Sequence, residues 1–223
     1  MDRFYTAKKA CLVLNGVITD YNKVSTILND MKYDIIIGVD GGCNHLDKLN
    51  IVPNHMVGDM DSIDKEVLDK FINLGVNKKK YPEKKNETDT ELAVLLACEE
   101  GAVLIDIYGA LGGRIDHEIA NVLLLKYIAK QNAYSRILSE NEEIYLLEND
   151  ELTIRGKKGN IVSTIPVGGN ANGVTLCGLE YPLNEFDMEY SRPRGISNTM
   201  LEDVCHINVR DGSLLIVKYD KDA

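Results

Sequence analysis

Positive charge is scarce in this sequence: 25 Lys and Arg stand against 35 Asp and Glu, a formal charge of -10 with a pI near 4.9. Such a chain repels a phosphate backbone, so DNA and RNA are not expected partners. It suits a small cationic substrate, although acidity also serves solubility. Cysteine is sparse as well. Cys11, Cys43, Cys98, Cys177 and Cys205 are scattered, odd in number and form no C-x-x-C pair. Neither a disulfide framework nor a zinc site is indicated, and reduced, buried thiols are expected. Long apolar runs are missing: the stretch Ala10–Ile18 is broken by Asn15-Gly16, and no small-residue cleavage site follows a basic start. The reading is therefore cytoplasmic, with no membrane partner. The phosphate loop G-x-x-x-x-G-K-[ST] is absent, as are G-x-G-x-x-G, G-x-S-x-G and H-E-x-x-H, which disfavours the common nucleotide, hydrolase and zinc classes. No internal repeat, low-complexity tract or proline-rich linker interrupts the chain.

What is present is an ordinary globular composition, 44% apolar over 223 residues. Cys11–Leu14 and Asp34–Val39 are short apolar runs ending in turn residues, the pattern of central parallel strands buried on both faces. Helical periodicity follows over Lys23–Met31, Asn44–Leu49, Lys65–Leu74, Asp89–Glu100 and Asp116–Lys130, with a further strand near Val103–Tyr108. This alternation predicts an α/β domain with a mainly parallel sheet over residues 1–135. Beyond it, Ile144–Leu147, Leu152–Ile154, Ile161–Ile165, His206–Val209 and Leu214–Val217 are strand-like runs separated by turns such as Asn149-Asp150, Gly168-Gly169-Asn170 and Asp211-Gly212. They predict an antiparallel β-sandwich over 140–223, with a short join near 132–142.

The chemistry-bearing residues fall at element edges. In Gly58-Asp59-Met60-Asp61-Ser62, two carboxylates at spacing two on extended chain point the same way, and hard oxygen ligands suit Mg²⁺ beside substrate phosphates. Turn and N-cap hydrogen bonds explain the same pair structurally. Asp40 ends a strand before Gly41-Gly42, where backbone N–H groups lead into a helix and favour phosphate. Asp89 lies in Thr88-Asp89-Thr90-Glu91, whose Thr88 and Glu91 have capping-box spacing. In Gly112-Gly113-Arg114-Ile115-Asp116-His117, Arg114 can grip phosphate oxygens, and Asp116 can accept a proton or act as an N-cap. Lys78, Lys79, Lys80, Lys84 and Lys85 form a basic stretch that reads as a solvated loop, from which Lys85 can still reach a polyphosphate.

Taken together and in this order, Asp40-Gly41-Gly42, Gly58–Ser62, Thr88-Asp89 and Gly112–His117 resemble the motifs of the thiamine pyrophosphokinases, and Gly178–Leu183 and Gly195–Asn198 look like that family's thiamine-binding segments. The resemblance implies transfer of the diphosphate of Mg·ATP to the thiamine hydroxyl with release of AMP. It also implies a homodimer whose two active sites lie between subunits. By motif, Asp59, Asp61 and Asp89 hold Mg²⁺, while Asp40, Gly41, Gly42, Ser62, Thr88 and Lys85 face the nucleotide or its metal. Arg114 and Asp116 line the reacting centre. Tyr181 flanks the thiamine pyrimidine, with Ser197 and Asn198 supplying its hydrogen bonds. Lys85-Asn86 stands where bacterial members often carry Lys-Asp. The alternatives are a Mg²⁺-dependent transferase of another specificity and a non-catalytic thiamine or nucleotide sensor.

Overall fold

The computed structural model describes residues 7–79 and 87–221. The chain forms two compact units, Met1–Glu140 and Asn141–Ala223. In the first unit the elements run β1 (Lys9–Val13), α1 (Tyr21–Met31), β2 (Ile35–Val39), α2 (Gly42–Lys48), β3 (His55–Val57) and α3 (Lys65–Asn73). They continue with β4 (Asn77–Lys79), α4 (Asp89–Glu99), β5 (Leu104–Tyr108), α5 (Ile115–Lys130) and β6 (Tyr134–Leu138). The strands lie in the order β6-β5-β1-β2-β3-β4, every adjacent pair parallel. Residues 10–13 of β1 and the whole of β5 are buried, as apolar runs covered on both faces must be. Cys11 and Val13 share one cluster with Val24 and Leu28 of α1, Cys43 and Leu46 of α2, and Val67 and Phe71 of α3. Helix α4 contacts β1, β2 and β3, and its buried Leu92, Ala93, Val94, Leu96 and Ala97 lie outside that cluster. The sheet is thus doubly wound.

The segment expected to join the two domains holds β6, the sixth strand of the first unit. Its sequence YSRIL lacks a continuous apolar run because Arg136 lies within it. That arginine is tolerated because Asp106, fully buried in β5, takes it with Nε–Oδ1 at 2.6 Å and Nη2–Oδ2 at 2.8 Å. Tyr33 Oη donates to the same carboxylate at 2.5 Å. Removing one partner of such a buried pair costs about 3–5 kcal/mol.

The second unit contains β7 (Glu142–Glu148), β8 (Glu151–Arg155), β9 (Ile161–Pro166), β10 (Ala171–Cys177), β11 (Leu183–Met188), β12 (Asn198–Thr199), β13 (Val204–Asp211) and β14 (Ser213–Tyr219). Strands β12-β9-β14-β7 form one antiparallel layer and β11-β10-β13-β8 the other. Leu147, Val162, Leu214 and Ile216 from the first layer meet Ile154, Val174, Leu176, Ile207 and Val209 from the second in a common core. This is the expected sandwich. Among the described residues, no helix is long and apolar enough to cross a membrane. The five cysteines are free thiols, Cys11, Cys43 and Cys205 buried and Cys177 exposed.

Candidate active site

In the first unit the chain steps from β1 through β2 and β3 to β4 on one side, then crosses to β5 on the other flank of β1. Open α/β sheets bind ligands at such a switch point, outside the carboxyl ends of the strands. The loops after β1 and β5 are zipped together there: Gly16 N–H donates to Gly109 O at 2.7 Å and Val17 N–H to Leu111 O at 2.8 Å. A Cβ on Gly16 would stand 2.3 Å from Gly109 O, so the approach requires glycine. His45 braces the first loop, its Nε2 donating to Gly16 O at 2.8 Å while Nδ1 accepts from Tyr21 Oη at 2.7 Å. Burial holds the imidazole below its ordinary pKa, in keeping with this neutral tautomer.

Asp40 follows β2 in left-handed backbone, φ 46°, a conformation that Asp and Asn tolerate. Its N–H donates to Val57 O at 2.9 Å, and the Met60 N–H donates to its carboxylate. Its Oδ1 is buried and has no hydrogen-bond partner among the described residues. Gly58, at φ 128°, lets that oxygen come close, since a Cβ there would stand 1.7 Å from it. Burial pushes the Asp40 carboxyl up to about 6, helped in turn by the negative charges of Asp89, Asp59 and Asp61. The carboxylates read separately from three motifs therefore lie near enough for their charges to act on Asp40.

The stretch bearing Asp59 and Asp61 is a turn, not the extended chain expected. Met60 takes φ 71°, Asp61 N–H donates to Asp59 Oδ1 at 3.0 Å, and Ser62 Oγ donates to Asp61 Oδ1 at 2.8 Å. The carboxylate bonds its own backbone more readily than it keeps a strand going. Asn44 of α2 ties the turn down, donating to Ser62 O at 3.1 Å and accepting from Asp64 N–H at 3.0 Å. Thr88 is the N-cap of α4, its Oγ1 accepting from Glu91 N–H at 3.2 Å, which places Asp89 in the first turn. Lys85 and Asn86 lie outside the described residues. Gly41 is the N-cap of α2, and Gly42 packs so tightly that a Cβ would stand 1.9 Å from Val13 O.

The N-cap of α5 is Arg114, not Asp116, which occupies the first turn. The two pair through Nη2–Oδ2 at 2.5 Å and Nε–Oδ1 at 3.1 Å, and both are exposed. Hydrogen bonding to Arg114 holds the Asp116 carboxyl below the ordinary carboxylate range, so it is a weaker proton acceptor than its position suggests. In the second unit, Tyr181 is 68% exposed. Asn198 is buried, and its amide bonds backbone: Oδ1 accepts from Tyr181 N–H and Thr199 N–H at 3.0 Å each, and Nδ2 donates one N–H to Tyr181 O at 2.8 Å. Asn198 thus positions Tyr181 and keeps a second Nδ2 N–H beyond these bonds. Ser197 is exposed at φ 59°, its N–H donating to Ser163 Oγ at 3.0 Å.

Among the described residues no three His, Cys, Asp or Glu side chains close into a metal cage. The donor set nevertheless fits a hard cation that keeps waters: carboxylates whose charges act on Asp40, which itself has an unpartnered buried oxygen. Fold and site together define an α/β enzyme with acidic groups at the carboxyl ends of its strands, joined to an antiparallel β-sandwich.

Residues 28–137 match the family described as "Thiamin pyrophosphokinase, catalytic domain", and 145–214 match "Thiamin pyrophosphokinase, vitamin B1 binding domain". A Bacillus subtilis thiamine pyrophosphokinase is 28% identical over 188 residues, covering 84% of this chain and 88% of the relative. An Oryza sativa thiamine pyrophosphokinase is 31% identical, covering 72% of this chain and 64% of its own longer length. The solved thiamine pyrophosphokinase of Bacillus subtilis superposes with a TM-score of 0.85 at 25% identity, over 96% of this chain and 100% of that one. The yeast enzyme, at 17% identity and a TM-score of 0.78, over 96% of this chain and 86% of its own, shares the fold. The chain belongs to the thiamine pyrophosphokinase family.

Proposed function

We propose that this chain transfers the diphosphate of Mg·ATP to the hydroxyl of thiamine, giving thiamine diphosphate and AMP. The observation that carries the reading is the half-buried Asp40 at the carboxyl end of β2, on which the negative charges of Asp89, Asp59 and Asp61 act. The thiamine oxygen forms a bond to the β-phosphorus, the bond from that phosphorus to the α–β bridging oxygen breaks, and AMP leaves with the bridging oxygen. Asp59, Asp61 and Asp89, with Asp40 beside them, are the residues to hold Mg²⁺, which supplies neutralisation of phosphate charge when bound. Ser62 and Asn44 fix the turn that aims two of these carboxylates. Arg114 exchanges Asp116 for phosphate oxygens, a two-pronged contact its guanidinium already makes. The hydroxyl proton passes to one of the gathered aspartates or to Asp116 once Arg114 has released it for phosphate. Tyr181, held by Asn198, offers an exposed ring to the thiamine pyrimidine, with Ser197 beside it.

We also infer a homodimer working in the cytoplasm. Ile115, Ile119 and Leu123 form an i, i+4, i+8 stripe on α5 and are 69%, 54% and 59% exposed in the single chain, which favours an apolar partner surface. The function is tested by incubating the chain with thiamine, ATP and Mg²⁺ and identifying the products. Thiamine diphosphate with AMP is expected. ADP or free phosphate would point to another transferase, and binding without turnover to a sensor.

A further inference from the structure

Asn15 lies just past β1 at the switch point and belongs to none of the motifs above. Its amide is laid flat over Gly41: a Cβ on Gly41 would stand 2.3 Å from Asn15 Oδ1, 2.4 Å from Cγ and 2.6 Å from Nδ2. Gly41 has φ −59° and ψ −9°, ordinary helical values that any residue can adopt. Backbone conformation therefore does not call for glycine at this position, whereas the seat of the Asn15 side chain does. The amide so seated makes no hydrogen bond among the described residues, and Asn15 is exposed at the end of β1. Held against Gly41 by packing, the amide keeps its hydrogen-bonding groups open to water or to a bound ligand.

Two features select the kind of ligand. Gly41 directly follows Asp40, whose buried carboxyl is surrounded by the charges of Asp89, Asp59 and Asp61. A hard cation held there keeps substrate phosphates beside it. An amide N–H recognises an anionic oxygen without adding a positive charge that would compete with the cation for those carboxylates. We infer that the Asn15 side chain is a binding residue for the nucleotide's polyphosphate, seated on Gly41 so that its Nδ2 donates to a phosphate oxygen next to the carboxylate cluster. The inference rests on the function proposed above. It also explains Gly41 by packing, where helix-terminus phosphate binding alone leaves the glycine without a cause.

The test measures binding of ATP and of AMP by calorimetry in saturating Mg²⁺, without thiamine, for the native chain, Asn15→Asp, Asn15→Ala and Gly41→Ala. Asn15→Asp keeps the shape and replaces the donor with a negative oxygen, so ATP affinity should fall about tenfold or more while AMP affinity stays within about twofold. Gly41→Ala drives the amide from its seat and should reproduce the Asn15→Ala loss, and the double variant should be no worse than either single one. The Michaelis constant for ATP should rise in parallel, and that for thiamine should not. Native ATP affinity in Asn15→Asp overturns the inference, as does an equal loss of ATP and AMP affinity, which would put the amide on the nucleoside. Additive losses in the double variant also overturn it, by separating Asn15 from Gly41. A native chain that binds no Mg·ATP overturns both this inference and the proposed function.

Discussion

At the scale of single residues, Asp40 carries the clearest electrostatic signature of the crevice. Its folded-state pKa of about 6 lies above the ordinary value of 3.8. The folded chain thus binds this proton more tightly than the unfolded chain does. The resulting stability is fully present below about 3.8 and is lost as pH rises through about 6. Asp40→Asn removes the penalty while keeping a residue that tolerates left-handed backbone. In the absence of divalent metal it should raise stability at pH 7–8 by about 1 kcal/mol, less than full linkage because the carboxyl is partly solvent-screened, and leave it unchanged at pH 4. Chemical denaturation at the two pH values decides; a gain of equal size at pH 4 would deny the electrostatic cause. Asp61→Asn should behave differently, keeping the fold and lowering thiamine diphosphate formation at least about a hundredfold, since a metal ligand acts on charge developing in transfer. Near-native turnover in that variant, assayed by AMP release, would remove Asp61 from the metal set.

At the scale of elements, the start of α4 separates capping from chemistry within two adjacent residues. Thr88 caps the helix through Oγ1, and Asp89 sits in its first turn while adding to the negative field at Asp40. Thr88→Ala should cost about 1 kcal/mol of stability and little turnover beyond it. Asp89→Asn should lose turnover and cost only the few tenths of a kcal/mol that a first-turn acid contributes to the helix dipole. Paired melting curves and steady-state rates test this: if Asp89→Asn kept its rate and lost stability like Thr88→Ala, Asp89 would be a helix-start residue only.

At the scale of the whole molecule, the family resemblance implies that each site of the proposed dimer takes carboxylates from one subunit and the thiamine-binding segment from its partner. Asp61→Asn and Tyr181→Ala should then each be inactive alone and complement when refolded together. Random exchange makes about half of the dimers mixed, each with one intact site of two, so activity should return to roughly a quarter of native. AMP release from co-refolded and separately refolded samples, with mixed dimers verified by mass, is the measurement. A mixture no better than the average of the two variants would place each complete site within one chain.

The residue pattern alone was enough to predict a parallel α/β unit followed by an antiparallel sandwich, because apolar runs buried on both faces and turn-separated short strands declare themselves locally. It marked Asp40, Asp59, Asp61, Asp89 and Arg114 for the same reason, as polar groups at element ends. It could not show β6, since Arg136 reads as a surface residue until Asp106 from β5 is beside it. Nor could it distinguish an extended pair from the turn at Asp59–Asp61, or reveal that Asn198 serves the backbone of Tyr181, 17 residues away. The seat that Gly41 makes for Asn15, 26 residues earlier in the chain, is of the same kind. Periodicity and turn chemistry are local and survive in the sequence, whereas the partner of a buried charge, an amide or a missing Cβ comes from a distant segment and exists only once the chain has folded.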